Sequence, residues 1–153
     1  MPKKTAVIGL GNILRRDDGI GIIILESLLD FLKKKGIIYL NFGTASFDLI
    51  HRIGEFDAVL LIDAIDASLP AGTLKIFELG DISYCLKGSG TSTHEFDLRS
   101  IFELYVKLDL KTKIYVAGIQ VKDISWEEGL TLPLQKKKAG IAKQISSFID
   151  KTF

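Results

Sequence analysis

Four side chains have the types and spacing to do chemistry together. Asp17 and Asp18 stand side by side, after a Gly9-Leu-Gly-Asn12 opening and before Gly19-Ile-Gly21. Asp63 closes the apolar run Val59-Leu-Leu-Ile62, and His94, one of two histidines, comes after a Gly/Ser/Thr-rich stretch over 87–93. Asp18, Asp63 and His94 would supply two oxygen ligands and one nitrogen ligand with coordination positions left open. That set suits a borderline divalent metal such as nickel, zinc or cadmium. Asp17 is the spare carboxylate, placed to act as a general base on water.

Each of these residues also has a purely structural reading. Aspartate is a preferred helix cap, so Asp17 and Asp18 can simply open the next helix. A carboxylate ending a buried strand needs a partner, and Arg15 or Arg16 could supply a salt bridge to Asp63. His94 alone reads as a surface or capping residue. Its expected place in the first turn of a helix favours the neutral, metal-binding imidazole, because the positive end of the helix dipole opposes imidazolium.

Other chemistries are poorly supported. The chain has no His-Glu-x-x-His helix and no Ser/His/Asp order. The single cysteine, Cys85, has no histidine near it in the sequence and makes a poor nucleophile. The segment from Gly9 invites a dinucleotide-binding reading, but Gly-x-Gly-x-x-Gly would need glycine where Leu14 stands. Two carboxylates at a helix start would also repel a pyrophosphate.

The elements that must position these residues can be read from the apolar pattern. Short buried strands are expected over 5–9, 37–42, 58–62 and 113–118, with an edge or antiparallel strand over 73–79. A helix is expected over 19–35, where Leu25, Leu28, Leu29 and Leu32 form one stripe and Gly36 is the stop. A short helix is expected over 46–53. Ser92 and Glu95 have capping-box spacing before a stripe of Leu98, Ile101, Phe102, Tyr105 and Leu108. An irregular stretch over 120–133 leads into a last helix over 134–151. Strands alternating with helices give an α/β class, with a twisted, mostly parallel sheet of about five strands between helical layers. The rare polar residues, Asn12, Asn41, Asp63 and Gln120, then fall at the carboxyl ends of strands, where open α/β sheets bind ligands.

The chain has 153 residues, 47% hydrophobic and 25% charged, which fits one ordinary domain over 1–153. The formal net charge of +1 offers no electrostatic reason to expect nucleic acid. No signal peptide or membrane segment is expected, and one cysteine excludes an internal disulfide, so the expectation is a soluble, cytoplasmic monomer. Lys136-Lys-Lys138 reads as a solvated turn. Trp126, the one tryptophan, reads as a core residue or a docking contact.

At these residues the chain resembles the hydrogenase maturation proteases, over about Val7 to Pro133. Gly9-x-Gly-Asn-x-Leu-x-x-Asp-Asp-Gly-x-Gly21 matches the family's opening motif. Asp63-Ala64 with Pro70-x-Gly72-Thr73 matches its second block, His94 its third, and Gly118-Ile-Gln120 with Gly129-Leu-Thr131 its last. The resemblance implies an endopeptidase that removes the C-terminal extension of a NiFe hydrogenase large-subunit precursor. It further implies that nickel, supplied by the precursor, is recognised by Asp18, Asp63 and His94, with Asn12 and Asp17 in support. Three departures bear on this. The second strand ends Asn41-Phe-Gly-Thr44 where the family commonly has Asp-Gly-Gly-Thr, Gln120-Val121 replaces Gln-Pro, and Leu130-Thr-Leu-Pro133 replaces Leu-Thr-Pro. The loss of an acidic group at Asn41 motivates an alternative, a non-catalytic nickel-checking chaperone of the same fold.

Overall fold

Strand β1 (Thr5–Leu10) leads through a 3-10 turn (Arg16–Gly19) into helices α1 (Ile20–Ser27) and α2 (Leu29–Lys35). Then come β2 (Ile38–Gly43), α3 (Phe47–Ile53), β3 (Ala58–Asp66), β4 (Leu74–Glu78), α4 (Ile82–Cys85) and β5 (Thr91–Ser92). The chain closes with α5 (Leu98–Lys107), β6 (Lys113–Gln120) and α6 (Leu132–Thr152). The computed structural model describes residues 2–44, 47–85, 91–92 and 97–153.

The sheet order is β2-β1-β3-β6-β4, with β5 attached to the end of β3. β1 pairs in parallel with β2 and β3, and β3 with β6. β4 runs antiparallel to β6, as its alternating pattern implied. Apart from Asp63 and polar residues at their ends, the central strands are apolar because both faces are covered. Ile8, Leu10, Leu61 and Val116 pack with Leu49 and Ile53 of α3 and Ile101 of α5. Val7, Leu60, Ile62 and Ile119 pack with Ile24 and Leu25 of α1 and Ile145 and Ile149 of α6. The expected α/β class and its layered, mostly parallel sheet are therefore the observed ones.

Four expectations are corrected. The single helix over 19–35 is two helices, broken at Leu28, where φ is −99° and ψ −1°. The Ser27 hydroxyl donates to the Ile24 carbonyl at 2.7 Å, and the Leu28 amide donates to Leu25 rather than to residue 24. Such side-chain bonding to a preceding carbonyl competes with the α-helical ladder. The expected capping box does not open α5. Asp97 caps that helix, its carboxylate accepting from the Ser100 amide at 2.9 Å, while Ser92 lies in β5 opposite Ile65. The helix is capped at Asp97 and begins at Leu98; the expected place of His94 in its first turn falls outside the described residues. β3 runs on to Asp66, so Asp63 sits inside the strand, and α6 starts at Leu132, two residues before its expected start.

Candidate active site

The opening glycines act as spacers. Gly11 has φ of 141°, a conformation other residues rarely adopt, and its amide donates to the Gly43 carbonyl at 2.8 Å. A Cβ at Gly21 would stand 2.3 Å from the carbonyl oxygens of both Leu10 and Ile62. Only glycine lets α1 descend onto the ends of β1 and β3. That descent presses the 3-10 turn carrying Asp17 and Asp18 against β3, which carries Asp63.

Asp18 is fully buried, and its carboxylate accepts from the Asn12 amide at 3.0 Å. Asn12 in turn shapes its own loop, its side-chain oxygen accepting from the Leu14 amide at 2.9 Å. Asp63 is 1% exposed and lies opposite Gly118 of β6. Asp18 is thus buried on the 3-10 turn and Asp63 on β3, the strand against which that turn packs. His94 lies outside the described residues. Among those described, no group of three His, Cys, Asp or Glu side chains is gathered for a metal ion.

Asp17 has a different environment from its neighbour. It is fully buried, and its carboxylate accepts from the amides of Lys122 (2.9 Å), Asp123 (3.2 Å) and Thr131 (2.8 Å) and from the Thr131 hydroxyl (2.8 Å). The expectation of a spare general base thus meets a carboxylate already committed on both oxygens. Asp17 is the latch that joins the opening motif to the 122–131 loop. Thr131 stands at the N-cap of α6 but makes no side-chain cap there, because its hydroxyl is turned to Asp17. Sequence reasoning placed Thr131 in a motif without seeing this pairing across 114 residues. Its one available signal was a threonine just before a long helix.

The two arginines also face this loop rather than Asp63, so the expected salt bridge to Asp63 is not how they are used. Arg16 pairs with Glu127 at 2.8 Å, and Arg15 Nε donates to the Ile124 carbonyl at 3.2 Å. The Arg15 guanidinium lies 5.2 Å from the centre of the Trp126 ring. Trp126 is 74% exposed, which overturns its reading as a core residue. Gln120 is buried and braces the 66–69 turn. Its carbonyl accepts from Ala67 (2.8 Å) and Leu69 (3.3 Å), and its amide donates to Asp66 (3.1 Å) and to the Val121 carbonyl (2.9 Å). Lys137 departs from a fully solvated reading by donating to the Ala71 carbonyl at 2.7 Å.

A groove of about 390 Å³ lies between the opening loop and the end of β2, lined by Gly11 to Leu14, Ile22, Glu26, Asn41, Gly43 and Thr44. The Asn41 side-chain oxygen accepts from the Gly43 amide at 3.1 Å, a local turn that an aspartate would make equally well. Asn41 in place of an aspartate therefore leaves the strand-end turn intact and the groove wall without a negative charge at that position.

The sequence profile of the hydrogenase maturation proteases matches residues 22–148. The chain belongs to the hydrogenase maturation protease family. Among curated relatives, it is 30% identical to the coenzyme F420 hydrogenase subunit delta of Methanothermobacter thermautotrophicus, over 94% of this chain and 91% of that one. It is 27% identical to the hydrogenase expression/formation protein HupD of Thiocapsa roseopersicina, over 86% of this chain but only 61% of the relative. The fold agrees with solved structures of the same family. HybD of Thermococcus kodakarensis matches 95% of this chain and 98% of its own, with a TM-score of 0.74 and 25% identity. HybD of Escherichia coli matches 97% and 93%, with a TM-score of 0.79 and 22% identity. Among the described residues, no helix is long and apolar enough to cross a membrane.

Proposed function

We propose that this protein is the endopeptidase that removes the C-terminal extension from a nickel-loaded NiFe hydrogenase large-subunit precursor. The observation that carries the reading is the burial of Asp18 and Asp63 at the carboxyl side of the sheet, in a chain of the hydrogenase maturation protease family. Nickel arrives as part of the substrate, and Asp18, Asp63 and His94 are its recognition ligands. A divalent ion at that point supplies a Lewis acid beside the scissile peptide. The chain's own residues do the positioning. Asn12 orients Asp18 through its amide, Asp17 fixes the turn that carries Asp18 to the 122–131 loop, and Gly21 lets α1 seat that turn. With Asp17 saturated by donors, its part is to hold the site together rather than to take a proton from water. The client is a cytoplasmic precursor met by a monomeric enzyme.

The test is mass spectrometry of a large-subunit precursor, nickel-loaded and nickel-free, incubated with the wild-type protein and with Asp18→Ala, Asp63→Ala and His94→Ala. Loss of a C-terminal peptide from the nickel-loaded form alone, abolished in the variants, is the expected result. An intact precursor that co-purifies with the protein would overturn catalysis in favour of the nickel-checking chaperone, and Asn41→Asp would then be the first restoration to try.

A further inference from the structure

The two edges of the sheet are defended differently. β4 is a short edge strand carrying Lys75 and Glu78, the charged residues by which natural edges discourage pairing. β2 is the opposite edge and, among the described residues, pairs only with β1. Its sequence Ile-Tyr-Leu-Asn-Phe-Gly contains no charge and no proline, and Ile38 and Tyr39 are 38% and 37% exposed. Alternate residues of such a strand turn their N–H and C=O groups outward, forming a template for another strand. The template also leads somewhere. The groove beside Asp18 begins where β2 ends, and Asn41, Gly43 and Thr44 form one wall of it. The other wall is the Gly11–Leu14 loop, with Ile13 and Leu14 half exposed and the Asn12 amide bound to Asp18.

We infer that the outer edge of β2 takes an extended, uncharged segment of the substrate chain as an added strand and leads it into the groove, toward the Asn12 loop that holds Asp18. This inference rests on the proposed protease reading and deepens it by naming where the substrate backbone docks. Main-chain hydrogen bonds to β2 supply affinity without demanding a sequence, and the groove selects among the side chains beyond the added strand. Ile13, Leu14 and Ile22 offer an apolar wall, and Glu26, the single charged lining residue, disfavours an acidic side chain at that end. A second copy of this chain could use the same edge, but it would leave unused the groove at the end of β2, whose facing wall includes Asn12 with its amide bound to Asp18.

Hydrogen–deuterium exchange on the full chain tests this directly, using the nickel-loaded precursor and the same precursor truncated before its extension. New protection of the amides over 38–43 is expected with the first and not with the second. Two variants give an independent reading. Side-chain and backbone alternation means that, of Tyr39→Pro and Leu40→Pro, one removes an outward N–H and the other an inward one that bonds β1. The outward variant should keep its melting temperature and raise KM roughly tenfold or more with kcat held, as loss of strand addition requires. Cleavage of the precursor with no protection over 38–43 and no change in KM would overturn the inference alone. Neither cleavage nor binding of the precursor would overturn the protease reading and this inference with it. Protection over 38–43 that rises with protein concentration in the absence of precursor, together with a dimer in sedimentation, would assign the edge to a second copy and overturn it as well.

Discussion

At the carboxyl end of the sheet, Asp17, Asp18, Asp63, Gln120 and Thr131 are all buried, whereas at the amino end the buried polar side chain among the described residues is Thr112. The amino end solves a simple problem. Thr112 Oγ1 lies 3.1 Å from the Ile53 carbonyl and 2.7 Å from that of Phe56, satisfying backbone groups where a loop enters the sheet. Around it lie solvated charges such as the exposed Lys111–Asp109 pair, worth little to stability. The carboxyl end does more than satisfy itself. Asp17, Gln120 and Thr131 brace its loops with hydrogen bonds, and two further carboxylates, Asp18 and Asp63, are kept buried at the same end. The difference teaches a division between adjacent residues: Asp17 is committed to holding the 122–131 loop, and Asp18, on the same turn, is the one that the proposed function assigns to the chemistry.

That comparison can be broken by mutation. Its strongest form predicts that Asp18→Ala or Asp63→Ala lowers single-turnover processing of a nickel-loaded precursor at least ~10³-fold, beyond the roughly 10–100-fold typical of outer-shell changes. Mass spectrometry of the released peptide measures it, and processing at near wild-type rates in either variant would end the distinction. Next, Asp17→Ala leaves the amides of Lys122, Asp123 and Thr131 without their acceptor in a buried setting. We expect a loss of roughly 3 kcal/mol or more in urea unfolding, because unsatisfied buried donors carry a heavy desolvation penalty. A stability unchanged from wild type would show that Asp17 is no latch.

Smaller effects sharpen the contrast between the ends. Thr112→Val should cost about 1–2 kcal/mol in the same unfolding measurement by removing a buried hydroxyl donor, yet leave processing unchanged. A large fall in processing there would show that the amino end is coupled to the chemistry. The smallest effect concerns Asp123, whose carboxyl is held below its ordinary value of 3.8 by hydrogen bonds from the Ser125 amide and side chain. A lowered folded-state value means that this group's contribution is present above pH 3.8 and is lost as pH falls through the folded value. Exchange of the Ser125 amide, followed by NMR, should therefore quicken at the acid end in the wild type. In Asp123→Asn it should show no such step.

Much of this arrangement is legible in the residues. The apolar runs of β1, β3 and β6 are continuous because both sheet faces are buried, and periodicity reads that directly. The Gly9–Gly21 motif, Asp63 and Gly118–Thr131 fall at strand ends, so topology alone sends them to one edge. Local competition was harder to see. Ser27 bonding to Ile24 breaks a helix whose leucine stripe is unbroken, and Asp97 displaces Ser92 as a cap although both have suitable chemistry.

The sequence by itself determined the α/β class, the family and the identity of the carboxylates, since these depend on composition, period and motif within short stretches. The tertiary structure decided how each carboxylate is held. Asp17 and Asp18 are chemically identical neighbours on one turn, and only the approach of the 122–131 loop saturates one of them with donors from residues at least 105 positions away. It likewise decided that β2 is an uncharged open edge leading into the groove, because an edge is defined by which strands pair and not by any residue within the strand.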